Sequence, residues 1–181
     1  MIKINNSASL SHDAMRYGTY MGLLWVVKFV VILVAFFAHN EGVMILGGGF
    51  FLLATVAVPV IAGVMACQHR NTLEDRAISY GRAWHFIVLI YLYAALLSAA
   101  GHYIYFAFVD QGRFFPLYLE YAHQAGLDND PMLRDLLKTL EESIPSLTPI
   151  RIVMQMFLNN VSYGVLQALV IALFVMKRKS I

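Results

Sequence analysis

The chain has 181 residues, of which 60% are hydrophobic and 13% are charged, and its formal net charge is +2. A soluble globular domain carries about 25% charged residues, so this composition excludes an ordinary water-soluble fold. The small net charge, with its basic residues grouped at the ends of apolar runs, also excludes a nucleic acid as a partner.

Four long apolar runs dominate the sequence, and they cover residues 17–38, 44–67, 84–109 and 152–176. Each is long enough to cross the hydrocarbon core, which takes roughly 20 helical residues. Lys28 is the only Lys, Arg, Asp or Glu within them. The sequence therefore predicts an all-α integral membrane protein, a single domain over residues 1–181, with four transmembrane helices in an up-and-down bundle and the lipid bilayer around it.

Basic residues flank the predicted spans unevenly. One side of the membrane would carry eight of them, namely Lys3, Arg16, Arg70, Arg76, Arg82, Lys177, Arg178 and Lys179. The other side would carry no basic residue in its first turn and four in its second loop, Arg113, Arg134, Lys138 and Arg151; that loop also has seven acidic residues, the first of which is Asp110. Because cytoplasmic loops of membrane proteins are enriched in Lys and Arg, both termini are predicted to lie in the cytoplasm.

Residues 110–151 are too polar to span a membrane and are predicted to form an extracytoplasmic loop. Asp130 followed by Pro131 is typical of the N-cap and first position of a helix. Apolar residues then recur at helical spacing: Leu133, Leu136, Leu137, Leu140 and Ile144. This pattern predicts an amphipathic helix between the third and fourth spans, which lies on the outer membrane surface or caps the bundle.

Lys28 is the main anomaly of the sequence, since it lies eleven residues, or about 16 Å of helix, beyond Tyr17. One interpretation is a buried cation that serves an anionic substrate or a proton relay. The other is a side chain that extends to the cytoplasmic interface and has only a structural role. If Lys28 is buried, Tyr91 and Gln167 lie at comparable depth, and the three residues form a candidate intramembrane polar cluster.

A second group of polar residues lies in the fourth run: Asn159, Asn160, Ser162 and Tyr163. A helix cannot turn all four toward lipid without an energetic penalty, so some are expected to face the bundle. The first three form a candidate polar band, with packing between helices as the simpler role and ligand binding as the alternative.

No pattern in the sequence indicates a catalytic or metal site. His85 and His102 are seventeen residues apart, about 25 Å along a helix, and cannot share a metal within one chain. No nucleophile with an adjacent base, paired-carboxylate site or nucleotide-binding fingerprint is recognisable. The prediction is a protein without catalytic, cofactor-binding or metal-binding residues that is not an enzyme.

Several short motifs resemble an uncharacterised family. The residues Ser79-Tyr80-Gly81-Arg82-Ala83-Trp84 lead into the third span, and Tyr103-Ile104-Tyr105-Phe106 and Val109-Asp110 close it. With the four spans and the Lys/Arg-rich tail, they resemble domain of unknown function DUF 4199, which is found chiefly in Bacteroidetes. The resemblance implies a multi-pass protein of the bacterial inner membrane and supplies no catalytic residues.

Two functional hypotheses follow. The first is a non-enzymatic packing, assembly or accessory component of the inner membrane, as a homo-oligomer or within a larger complex. Its sequence signals are the GxxxG pair Gly18 and Gly22 and the small residues of the third span. The alternative is a small-solute transporter or channel that uses the polar cluster around Lys28, with Pro59 in the second span as a hinge.

Overall fold

A computed structural model of the chain describes residues 4–73 and 76–177. These residues form six α-helices: α1 (Ile4–Phe37), α2 (Glu41–Thr72), α3 (Tyr80–Ile104), α4 (Phe114–Gln124), α5 (Pro131–Ser143) and α6 (Pro149–Val175). A five-residue π-helix, Tyr105–Val109, continues α3. The described part of the chain contains an isolated β-bridge between Ile78 and Lys177 but no strand of a sheet. The fold is therefore all-helical.

Four of these helices are long and apolar enough to cross a membrane: Leu10–Phe37, Glu41–Thr72, Tyr80–Val109 and Pro149–Val175. Their outward faces carry many large apolar side chains, such as Leu46 and Leu53 on α2, which are 75% and 73% exposed. An apolar surface of this extent is unfavourable in water. Hydrocarbon is the solvent that accepts such a surface. The chain is a membrane protein built from helices.

The helices extend beyond the apolar runs from which they were predicted. α1 begins at Ile4 rather than near residue 17, and α2 continues to Thr72. α2 begins after Asn40, whose side chain accepts a hydrogen bond from the backbone N–H of Val43. The difference arises because hydropathy marks the part of a helix that fits hydrocarbon, whereas caps mark where the helix ends.

Around the bundle the long helices follow the order α1, α2, α6, α3, and α3 packs most extensively, against both α1 and α6. Gly18 and Gly22 let α1 approach α3 closely: a Cβ on Gly18 would lie 2.5 Å from the Cβ of Tyr93. Within the chain, the GxxxG pair is thus used for an internal helix contact.

Hydrogen bonds join the end of α6 to the last turn of α2 and to the α2–α3 connection. The Arg70 guanidinium donates to the Val175 carbonyl at 2.8 Å. Ile78 and Lys177 exchange backbone hydrogen bonds of 3.1 and 3.0 Å. Near the same end, buried His69 hydrogen-bonds Asp13 of α1 at 2.8 Å and stacks on Phe86 of α3. Lys3, Arg178 and Lys179, which entered the orientation argument, lie outside the described residues.

The segment between the third and fourth long helices contains two α-helices, where the sequence analysis anticipated one. α5 begins at Pro131, and the Asp130 side chain accepts hydrogen bonds from the N–H groups of Met132 and Leu133.

The helix α4 was not predicted from the sequence. It is held by Asp110, which is 3% exposed and accepts hydrogen bonds from the Tyr105 hydroxyl and the Phe114 N–H. Asp110 was counted among the loop acids, but it is a buried structural carboxylate.

Candidate functional site: a chamber around Lys28

The Lys28 side chain points into the bundle from α1 and is half-buried. Its ammonium donates a hydrogen bond to the Thr55 hydroxyl at 3.2 Å and lies 4.5 Å from the centroid of the Phe51 ring. The Thr55 hydroxyl in turn donates to the Phe51 carbonyl. Both contacts of Lys28 are with neutral groups of α2, and no Asp or Glu of the described residues forms an ion pair with it.

Lys28 lines a small cavity of about 130 Å³, called here the Lys28 chamber. All four long helices contribute to its wall, which consists of Trp25, Lys28 and Phe29 of α1, Phe51 of α2, Ser98 and His102 of α3, and Met156 and Asn160 of α6. The volume has room for about four water molecules. The chamber therefore places a cation and several neutral polar groups together within the helical core.

The chamber interrupts the apolar core. Trp25 belongs to the large buried cluster on one side of it, and Phe29, one helical turn later, belongs to a smaller cluster with Leu33, Phe106 and Val153. Two separate packed regions of the same bundle thus meet at the level of Lys28.

Among the described residues, the wall of the chamber contains no Asp or Glu. Besides Lys28, its polar side chains are those of Trp25, Ser98, His102 and Asn160. The Ser98 hydroxyl and the Nδ1 atom of His102 lie 3.3 Å apart, and both residues are buried. The indole nitrogen of Trp25 is buried and has no hydrogen-bond partner among the described residues. Because the Lys28 ammonium is a donor without a charged partner among the described residues, the chamber is suited to a ligand that brings hydrogen-bond acceptors.

Of the three residues in the predicted polar cluster, Tyr91 and Gln167 contact each other, whereas Lys28 lies apart from both. The Tyr91 hydroxyl donates to the Gln167 Oε1 atom at 2.6 Å, joining α3 to α6. Lys28 hydrogen-bonds Thr55 instead of either residue. Trp25 lies between the two sites, because it lines the Lys28 chamber and its ring centroid is 6.1 Å from that of Tyr91.

The predicted polar band of α6 is divided between two faces. Asn160 lines the Lys28 chamber, whereas Asn159 and Ser162 are exposed on the outside of the bundle. The amide of Gln155 donates to the Asn159 Oδ1 atom at 3.0 Å on this outer face.

Thr55, Phe51, Ser98 and Trp25 were not among the predicted site residues, and for His102 a metal site was considered and rejected. His102 lies in the chamber wall, while His85 is exposed at the other end of α3. Among residues 4–73 and 76–177, no group of three or more His, Cys, Asp or Glu side chains could hold a metal ion. Helical spacing alone could have grouped Ser98 with His102, four residues later, but not across helices.

A second cavity adjoins the chamber and is called here the aromatic cavity. Its volume is about 560 Å³, and four phenylalanines, Phe29, Phe106, Phe114 and Phe115, form much of its wall. Phe29 and Met156 line both cavities. The two spaces are thus separated by these side chains.

The fold and the chamber together define the class: a membrane protein of four long helices that holds a cation and a polar cavity within its bundle. A family model described as "Protein of unknown function (DUF4199)" matches residues 16–177. The chain belongs to this family, and the resemblance noted from its motifs is confirmed. No curated protein and no solved structure matches the chain.

Proposed function

We propose that this protein is a non-enzymatic membrane protein that binds a small anion in the Lys28 chamber and serves as a carrier or channel for it. One observation carries the proposal. The half-buried Lys28 ammonium lies in a small cavity lined by all four long helices, and it has only neutral partners among the described residues.

The chemistry of the chamber favours an anion over a cation or a neutral solute. An ammonium has three hydrogens, of which Thr55 accepts one, so two remain for a ligand. A desolvated cation without a counter-charge is costly in a membrane, and a bound anion would reduce that cost. The volume limits the ligand to the size of a carboxylate or phosphate group.

The proposed setting is the bacterial inner membrane, with the long helices crossing in an up-and-down bundle and both termini in the cytoplasm. The described basic residues of the cytoplasmic side, Arg16, Arg70, Arg76, Arg82 and Lys177, support this orientation. Residues 110–151, with α5 as an amphipathic helix, would then lie outside the cytoplasm.

The test of the chamber measures which charge it admits. Asn160 is replaced by cysteine in a Cys67→Ala background, and the purified protein in liposomes reacts with two thiol reagents of opposite charge, an anionic and a cationic methanethiosulfonate. We expect Cys at position 160 to react faster with the anionic reagent. In the Lys28→Met variant, the ratio of the two rates should fall about tenfold.

Two controls separate the charge effect from misfolding. Lys28→Arg keeps the cation and should keep the rate ratio. Leu158→Cys, on an exposed face of α6, should show no dependence on Lys28. An unchanged ratio after Lys28→Met would contradict anion binding in the chamber.

An assembly role is the second candidate, and the outer face of α6 favours it. Asn159 and Ser162 are exposed in the middle of an apolar helix, where lipid offers no partner to the Ser162 hydroxyl or to the Asn159 amide hydrogens. Hydrogen bonds between helices are the usual outcome for such residues. Replacing both with leucine should shift the protein from oligomer to monomer in light scattering of detergent-purified samples. A wild-type protein that is already monomeric would contradict this candidate.

A further inference from the structure

The aromatic cavity is larger than the Lys28 chamber and differs from it in chemistry. Most of its wall is apolar and comes from α1, the π-helix, α4, α5 and α6. Phe106 is placed there by the π-helix, a type of distortion that is frequent at functional sites. A volume of about 560 Å³ lies within the usual range of small-molecule sites, which are mostly apolar with a few polar groups.

The polar groups of this cavity are Arg151 and Gln155, on successive turns at the start of α6. Arg151 is exposed, so it lies at the opening of the cavity. One of its guanidinium nitrogens donates to the Ser146 carbonyl at 3.3 Å, and it forms no ion pair with any described carboxylate. At the inner end, Phe29 is buried. The cavity thus combines an apolar interior with a cation at its opening.

We infer that the aromatic cavity binds an anionic membrane lipid, with one acyl chain among the phenylalanines and the phosphate of the headgroup at Arg151. The charge of Arg151 complements the phosphate, whose oxygens can accept several of its N–H groups. The bilayer itself supplies hydrocarbon at the depth of this cavity, since Phe29, Phe106 and Ile152 all belong to the long apolar helices. This site is separate from the Lys28 chamber and does not require anion binding there.

The experiment compares lipids bound to the purified protein in native mass spectrometry. The protein is equilibrated with equal amounts of phosphatidylglycerol, which is anionic, and phosphatidylcholine, which is zwitterionic. We expect one retained phosphatidylglycerol per chain. Arg151→Gln should lower the preference for phosphatidylglycerol about fivefold, the effect of one surface cation on an anionic headgroup.

Filling the cavity tests the position of the acyl chain. Ile152→Trp and, as a second variant, Leu147→Trp place an indole in the cavity and should abolish lipid retention. Lys138→Gln, which removes a cation from α5 without touching the cavity, and Leu158→Trp, which adds an indole to the outside of α6, should leave retention unchanged.

Each alternative outcome overturns the inference in a recognisable way. Equal retention of both lipids that is insensitive to Arg151→Gln would show a neutral chain-binding site. Retention that survives both tryptophan variants in folded protein would place the lipid elsewhere on the surface. Neither result bears on the charge-selective labelling of the Lys28 chamber.

Discussion

Tyr91 fits against α6 because the residue opposite its ring is a glycine. The ring is almost fully buried, and a Cβ on Gly164 would lie 2.5 Å from the Tyr91 Cγ atom. The hydroxyl at the other end of the ring reaches Gln167. One side chain therefore fixes both the separation of α3 and α6 and their register.

Gly164→Ala should consequently destabilise the protein by about 1–3 kcal/mol, because the two helices must move apart to admit the methyl group. The measurement is the free energy of unfolding in mixed micelles. Gly48→Ala is the matched control, since nothing lies within 4 Å of a Cβ at that position of α2. Equal stability of the two variants would contradict the close fit of Tyr91.

Counting residues along each apolar run placed Lys28, Tyr91 and Gln167 at similar depth, but depth is only one coordinate of a side chain. Which neighbour it contacts depends on the rotation of its helix. Tyr91 and Gln167 meet because α3 and α6 are adjacent, whereas Lys28 faces α2 through Thr55. The sequence of a helix that is apolar on all sides does not indicate its rotation, so the chamber could not be predicted.

At the scale of helices, caps were predictable where a side chain provides them. Asp130 and Pro131 begin α5, as their order along the chain indicated. α4 has no such signal: its N-cap residue, Arg113, makes no side-chain cap hydrogen bond, and the helix is instead held by Asp110 four residues before Phe114. A helix that starts in this way cannot be recognised from local sequence.

Asp130→Ala removes the acceptor for two N–H groups at the start of α5 and should destabilise that helix by about 1 kcal/mol. Hydrogen exchange is the measurement: amides at 132–136 should exchange roughly fivefold faster, while those of α3 keep their rates. Asp135→Ala removes the same charge from the interior of α5 and is the control. If both variants exchange alike, the cap contributes no stability.

For the whole molecule, hydropathy was sufficient to predict a helical membrane protein with four long helices. The hydropathy of a span is a sum over consecutive residues, so it needs no information about contacts between helices. The order of helices around the bundle was not predictable. It depends on contacts between distant residues, such as Gly22 of α1 against Ala94 and Leu97 of α3. Several such pairings of small residues are compatible with the same four apolar runs.

The proposed orientation gives a prediction for the intact chain in cells. Alkaline phosphatase, which is active only outside the cytoplasm, should be active when fused within residues 125–129 and inactive when fused after Ile181. A green fluorescent protein fused after Ile181 should be fluorescent. Active phosphatase at the C-terminus would reverse the proposed orientation.

The position of α3 between α1 and α6 also has a consequence for biosynthesis. At ordinary rates of translation, roughly 5 to 20 residues per second, the stretch that separates α3 from α6 takes several seconds to synthesise. During that interval α1 can already pack on α3, but the Tyr91 hydroxyl lacks its Gln167 partner. The insertion machinery and the proteases of the membrane therefore encounter an intermediate in which the Tyr91 hydroxyl, inside the bundle, still waits for its partner on the last helix.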